Sequence, residues 1–457
     1  MRKLSTLLIA TALFAHVQVN AKDYTVHSAA ELSQLSLQAG DKVILAQGDW
    51  KDQQLVFKGK GKENKPIILT TDQPGKLQLT GNSHLLIDGE YLEVNGVTFT
   101  DGYSLKGDVV VFSDASTHCR FTNSAIINYN HPDKKVDYKW LSLHGNNNRV
   151  DHCFMQGKTH QGTTLVVWLS NKANYHRIDH NYFGERPDLG VNGGETIRIG
   201  TSDWSMHDSY TTVEENIFYH CNGEMEVVSN KSCNNTIANN LFYECVGTLT
   251  LRHGNSVSVY GNYFIGNGVK ETGGIRIIGE NHRVYNNYLQ GLTGKGLKAA
   301  ISMMNAMTNP PLNGYWQVKN PIVVNNTIVD CKQGFDIGAG KNDTRTVVPV
   351  NGVIMNNLVQ HTPAIQLTDQ PEKFTISNNI ISNDAAADGF TEQKNVLKKQ
   401  DGLYVPDNSV VNTAKGDYSF TNNKNMGAPA TNAAQQKLLK GEGVGPAWMS
   451  FGKELKL

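Results

Sequence analysis

A short phrase recurs through the middle of the chain: an apolar strand, an asparagine, then a second apolar pair. It reads Val213-Glu-Glu-Asn216-Ile-Phe, Ile237-Ala-Asn-Asn240-Leu-Phe, Val259-Tyr-Gly-Asn262-Tyr-Phe and Val284-Tyr-Asn-Asn287-Tyr-Leu. It continues as Val323-Val-Asn-Asn326-Thr-Ile, Ile354-Met-Asn-Asn357-Leu-Val and Ile376-Ser-Asn-Asn379-Ile-Ile. Looser copies precede these at Ile178-Asp-His-Asn181-Tyr-Phe, Val150-Asp-His-Cys153-Phe-Met and Phe121-Thr-Asn123-Ser. Successive anchors lie 24, 22 and 25 residues apart from Asn216 to Asn287, and 39 apart from Asn287 to Asn326. Such periods belong to solenoids, in which one unit cannot bury its apolar face alone and must stack on the next.

The phrase specifies an all-β chain folded as a right-handed parallel β-helix. Each coil supplies short strands joined by turns, and neighbouring coils pair as parallel strands about 4.8 Å apart. A residue at one place in each coil then stacks on its counterpart. Asparagine suits a turn column because it tolerates left-handed backbone and its amide can bond the amides above and below. Cys221, Cys245 and Cys331 each lie five residues past an anchor. They are expected to fill one inward column, and the Cys221–Cys245 spacing is compatible with a disulfide.

The ends depart from the repeat. Ala29 to Leu37 is expected to form a short helix capping the first coil, whose sheet edges are otherwise open. Strands are expected at Lys42–Leu45, Gln54–Phe57, Pro66–Leu69, Leu77–Leu79, Leu85–Ile87 and Leu92–Val94. The β-helix thus occupies residues 22–385. Residues 386–457 should complete the last coils and cover them, with a helix at Ala433 to Leu439. No linker marks a second domain. Residues 1–21 read as a signal peptide of bacterial type: Arg2 and Lys3, a mostly apolar run, then Val19-Asn-Ala21. The expected location is therefore periplasmic or secreted. No later run approaches the length of a membrane span. Lys plus Arg and Asp plus Glu both total 42, a balance that argues against a nucleic-acid binder.

Charge concentrates on one face. In Ile197-Arg-Ile199, Met225-Glu-Val227, Leu249-Thr-Leu251 and Ile275-Arg-Ile277, alternation points the middle residue outward. Arg198, Glu226, Thr250 and Arg276 should therefore form one outward column. Glu224 and Arg252 flank it, Lys231 follows the Glu226 strand, and Asn192 precedes the Arg198 strand. Two readings fit: a solvated ladder of compensating charges, or a site for an acidic sugar. A uronate polymer can be cut without water by removing the C5 proton and expelling the C4 oxygen. Hard oxygen donors such as Glu224, Glu226 and Asn192 suit a calcium ion that would disperse the developing charge. A lysine in a positive, partly desolvated setting can serve as base, and arginines bind carboxylates in bidentate fashion.

Several stretches resemble polysaccharide lyase family 6, which includes chondroitinase B and many alginate lyases. They are Ala39-Gly-Asp-Lys-Val-Ile-Leu, Gly59-Lys-Gly-Lys-Glu-Asn-Lys-Pro-Ile, Gly81-Asn-Ser-His-Leu and Tyr91-Leu-Glu-Val-Asn-Gly-Val-Thr-Phe. The most specific are Asn192-Gly-Gly-Glu-Thr-Ile-Arg-Ile-Gly, Gly223-Glu-Met-Glu-Val-Val-Ser-Asn-Lys-Ser and Leu249-Thr-Leu-Arg-His-Gly-Asn. The resemblance implies calcium at Asn192, Glu224 and Glu226, Lys231 as the base, and Arg252 acting on the leaving oxygen. It implies substrate contacts from Arg276, with His253 and Arg198 as further candidates. For His253 the alternative is a hydrogen-bonded structural histidine, and for Arg198 an ion pair with Glu226. The expected substrate is alginate, with a lyase of the poly(β-D-mannuronate) type; dermatan sulfate is the alternative. Loops in the long insert from Gly291 to Val318 would decide whether one end of the groove is closed. A glycoside hydrolase would need carboxylates astride the bond, which the same-strand spacing of Glu224 and Glu226 suits poorly. No Asp-Pro-His-Asp segment of the epimerase kind is present. A non-catalytic carbohydrate-binding β-helix would keep the fold and have no need of Lys231.

Overall fold

The computed structural model describes residues 21–382, 387–393, 397–400, 402–406 and 426–456. The expected signal peptide, apart from Ala21, lies outside them. Three long parallel sheets of 14, 12 and 14 strands run the length of the molecule, and successive strands in the chain pass from sheet to sheet. This is a parallel β-helix. Its interior is a continuous apolar column, with Phe183, Phe218, Phe242 and Phe264 stacked face to face at centroid spacings of 5.0, 4.6 and 4.5 Å.

The asparagine repeat forms an unbroken ladder. From Asn181 through Asn216, Asn240, Asn262, Asn287, Asn326 and Asn357 to Asn379, each Nδ2 donates to the next Oδ1 at 2.9–3.0 Å. Each Oδ1 also accepts the backbone N–H of the preceding rung, and every rung is fully buried. The left-handed residue is the one before the rung: His180, Glu215, Asn239, Asn286, Asn325, Asn356 and Asn378 all have φ between 54° and 58°. The anchors are thus selected for amide bonding rather than for backbone handedness. In the two earliest copies the rung is Cys153 and Ser124, so the register of the first copy is one residue later than its Asn123 suggests.

All six cysteines are buried free thiols, so Cys221 and Cys245 are not bridged. Each thiol points toward a backbone carbonyl of the preceding coil, Cys221 to Phe183 at 3.5 Å and Cys245 to Phe218 at 3.3 Å.

The N-terminal helix spans Ala29–Ser33, shorter than expected. Ser28 Oγ accepts from Glu31 N at 3.2 Å, an N-cap that satisfies one of the helix's unpaired donors. Leu32 enters the core beneath it, while Leu35 and Leu37 pack there without helix. The helix Ala433–Leu439 appears as read, but its place differs. The segment 426–456 does not sit over the last coil. It runs back along the outer face of the third sheet, where Phe154, Tyr182, Leu241, Tyr263 and Leu358 bury Leu438, Leu439 and Val444 in a second apolar cluster. Gly427 N bonds Asn356 O, Gly445 N bonds His180 O, and Trp448 Nε1 reaches Asn123 O at 3.1 Å. An outward face rich in Tyr, Phe and Leu needs a cover, and this strap provides it.

Candidate active site

The 12-stranded sheet carries the charged patch. Pairing register gives the outward column as Arg198, Ser229, Thr250 and Arg276. Ser229 stands where Glu226 was expected. The strand Glu226–Lys231 is irregular against Thr248–His253 between Glu226 and Val228, and both Val227 and Val228 are buried. Such a bulge shifts the alternation by one residue. Glu226 therefore lies at the start of its strand, and Lys231 closes the same strand instead of standing in the next turn.

Three carboxylates converge there. One oxygen from each of Glu195, Glu224 and Glu226 lies within 4.8 Å of the others. Glu224 accepts from the backbone N–H groups of Gly193 and Gly194 at 3.0 and 3.4 Å. Gly194 is required by close approach: a Cβ there would stand 2.1 Å from Gly223 O. Burial, with the negative charges of Glu195 and Glu226 beside it, raises the Glu224 carboxyl to about 7. Glu195 is 1% exposed, and its Oε2 is buried with no hydrogen-bond partner. An orphaned carboxylate oxygen among clustered carboxylates fits a hard divalent cation. Asn192 is exposed at the mouth of this loop, next to Gly193.

The cations surround this cluster. Lys231 Nζ lies 3.8 Å from Glu195 Oε1, and its side chain is 17% exposed. Arg276 is buried, hydrogen-bonded to Glu226 and to Met225 Sδ, while Ser229 Oγ holds the other Glu226 oxygen. Arg276 thus orients Glu226 instead of standing open to a ligand. Arg252 Nε is 3.9 Å from Glu226 Oε1. Its Nη1 and Nη2 donate to Gly314 O and Asn313 O at 3.0 and 3.2 Å, and its guanidinium lies 4.2 Å from the centre of the Tyr315 ring. Burial, partly offset by Glu226, lowers the Arg252 pKa. His253 is paired in register with Lys231 and 2% exposed. Burial, with Arg252 and Lys231 nearby, depresses it to about 3, so it is neutral. Arg198 is not engaged with Glu226; it lies over the Trp168 ring at 5.4 Å.

Glu195, Tyr315 and the arginine Arg186 behind the loop were not singled out in the sequence. Alternation assigns Glu195 to the inner face with Ile197 and Ile199, but the strand begins only at Ile197, so the rule does not reach it. Tyr315 comes from the long Gly291–Val318 insert, whose length signalled a loop without saying what it would touch.

The family model for chondroitinase B matches residues 26–435. The chain belongs to the chondroitinase B family. Among solved structures, this chondroitinase B family member is 38% identical to the polysaccharide lyase family 6 alginate lyase AlyGC, with a TM-score of 0.82. That match covers 95% of this chain but 58% of the relative, so the chain spans well under two thirds of AlyGC. A mannuronic acid specific polysaccharide family 6 lyase from human gut microbiota is 30% identical, with a TM-score of 0.78, over 94% of this chain and 97% of its own. A family 6 polysaccharide lyase from Pseudopedobacter saltans is 28% identical, with a TM-score of 0.70, covering 89% and 99%. No match was found among curated proteins.

Proposed function

We propose that this chain is a polysaccharide lyase that cuts a uronate polymer, alginate first among candidates, by calcium-assisted β-elimination. The observation that carries the reading is that Lys231 and Arg252 lie 3.8 and 3.9 Å from different carboxylates of the Glu195, Glu224 and Glu226 cluster. Glu195, Glu224 and Glu226, with Asn192 at the loop mouth, would hold the ion. Bound calcium would neutralise the sugar carboxylate and so make the C5 proton removable. Lys231 Nζ, as the free amine, takes that proton. Arg252 steadies the charge growing on the C4 oxygen, and the proton that completes the departing hydroxyl comes from water or from the protonated Lys231; the guanidinium is a donor and does not itself give up a proton. Arg276 fixes Glu226, neutral His253 pairs beside Lys231 and lies 3.3 Å from Arg252 Nη1, and Arg198 offers its charge to a neighbouring sugar carboxylate. The named specificity of the gut lyase supports mannuronate-containing alginate as substrate. Residues 1–21 would direct export to the periplasm or beyond, which amino-terminal sequencing of the mature protein would test.

The deciding experiment follows ultraviolet absorbance of the unsaturated product on alginate and on dermatan sulfate, each with calcium or chelator. Growth on alginate that is lost in Lys231→Ala and in chelator is expected. Growth on dermatan sulfate alone reassigns the substrate. Binding without absorbance from a folded protein overturns the lyase reading in favour of a carbohydrate-binding module.

A further inference from the structure

Behind the acidic cluster lies a buried arginine that the proposed chemistry does not use. Arg186 is 3% exposed. Its hydrogen bonds go to carbonyls and one hydroxyl drawn from two neighbouring coils. Nη1 donates to Glu195 O at 2.6 Å and to Thr164 Oγ1 at 3.2 Å. Nη2 donates to Gly162 O at 2.8 Å, Gly193 O at 3.3 Å and His160 O at 3.4 Å. Burial lowers its pKa to about 10, so it remains charged at neutral pH.

The loop 193–195 is therefore held from both sides. Its carbonyls accept from Arg186, while its Gly193 and Gly194 amides donate to Glu224. The packing admits this arginine only because residue 223 is glycine: a Cβ there would stand 2.7 Å from Arg186 Nε. Glu195, the carboxylate with an unpartnered buried oxygen, is thus aimed by a guanidinium fork that bonds its own backbone carbonyl. A lysine could not replace it, because a single ammonium cannot reach acceptors on two coils with planar geometry.

We propose that Arg186 is a positioning residue for the cation site, fixing loop 193–195 so that Glu195 meets Glu224 and Glu226 before the ion arrives. The inference rests on reading that cluster as a calcium site. It makes a prediction whose sign differs from a pure charge effect. A buried positive charge behind the site repels a cation, so if charge alone mattered, removing it would tighten binding. Positioning predicts the reverse, and supporting groups behind metal ligands typically contribute about 10- to 100-fold in affinity.

The test is calorimetric titration of calcium into the full-length protein and into Arg186→Gln and Arg186→Lys. Both variants are expected to bind at least about tenfold more weakly. Calcium required for half-maximal lyase activity should rise in step, with kcat recovered at saturating calcium, which a general structural defect would not allow. Affinity equal to or tighter than wild type in Arg186→Gln overturns the inference and leaves the calcium site intact. A wild-type protein that binds no calcium overturns the site reading and this inference together. Where Arg186→Gln fails to fold, Thr164→Val removes one acceptor and keeps the arginine. It should weaken calcium binding about threefold, a fraction of the full effect; unchanged affinity there overturns the proposal.

Discussion

Glu195 and Tyr315 define the chemistry of the site as much as the residues that motif reading supplies. Glu195 adds a third carboxylate, and its unpartnered oxygen makes the cluster costly without a cation. Glu195→Gln is expected to weaken calcium binding about tenfold by titration while leaving the melting temperature in chelator unchanged or raised, since a repulsive charge is removed. Tyr315 lies against the Arg252 guanidinium, a contact between cation and ring face of about 1 kcal/mol when partly desolvated. Tyr315→Ala should lower kcat about fivefold, read from initial rates on alginate, and unchanged kcat would remove Tyr315 from the site. Lys231, Arg252, Glu224 and Glu226 were singled out because they stand in or beside recognisable strands and motif stretches, although the bulge moved Glu226 out of its expected column and brought Lys231 into its strand. Glu195 and Tyr315 were not, since one precedes its strand and the other hangs from an insert whose path no local pattern encodes.

At the level of the element, the repeat was read almost completely, and register was the part that failed. The asparagine ladder follows from spacing and flanking apolar pairs. The bulge at Val227 does not, because two adjacent valines satisfy either face, and only packing against Thr248–His253 decides between them. That bulge places Ser229 in the outward column and turns Glu226 toward Arg276. The ladder has its own consequence for stability. Asn262 bonds Asn240 on one side and Asn287 on the other, at 3.0 Å each. Asn262→Ala leaves buried partners unsatisfied on both, a cost of about 3 kcal/mol. Thermal melting should show this loss, whereas a melting temperature within experimental scatter of wild type would mean that the ladder is decorative.

Across the whole molecule, burial holds several histidines neutral. Desolvation depresses His160, His176 and His253 to about 3 and His282 to about 4, with nearby cations adding to the effect for His160 and His253. Each binds a proton in the unfolded chain below about 6.5 but not in the fold, so the unfolded state carries more protons between pH 6.5 and 4. Their contribution is complete above 6.5 and is lost as pH falls through that window. With calcium present to keep Glu224 ionised, the melting temperature should decline from pH 6.5 toward 4; His180, raised by its bond to Asp179, acts in the opposite sense and loses its contribution as pH rises above 6.5. A flat profile over that lower range would contradict the neutral assignments. Below the ordinary aspartate range a second loss follows, as Asp151 and Asp179 are protonated; burial alone would raise them, but the arginines and histidines bonded to each hold both low.

The strap gives the molecule a property that stacked coils lack. A stack of coils knows only its neighbours, so coils can form and fray one at a time. Trp448 meets Asn123 across 325 positions of chain, and Gly427 meets Asn356 near the other end. Loops that long close late and slowly. A chain emerging from synthesis can wind its coils in order, yet its aromatic flank stays bare until residues 426–456 dock. Docking of the strap is then what converts a row of locally stable coils into a body that opens as one.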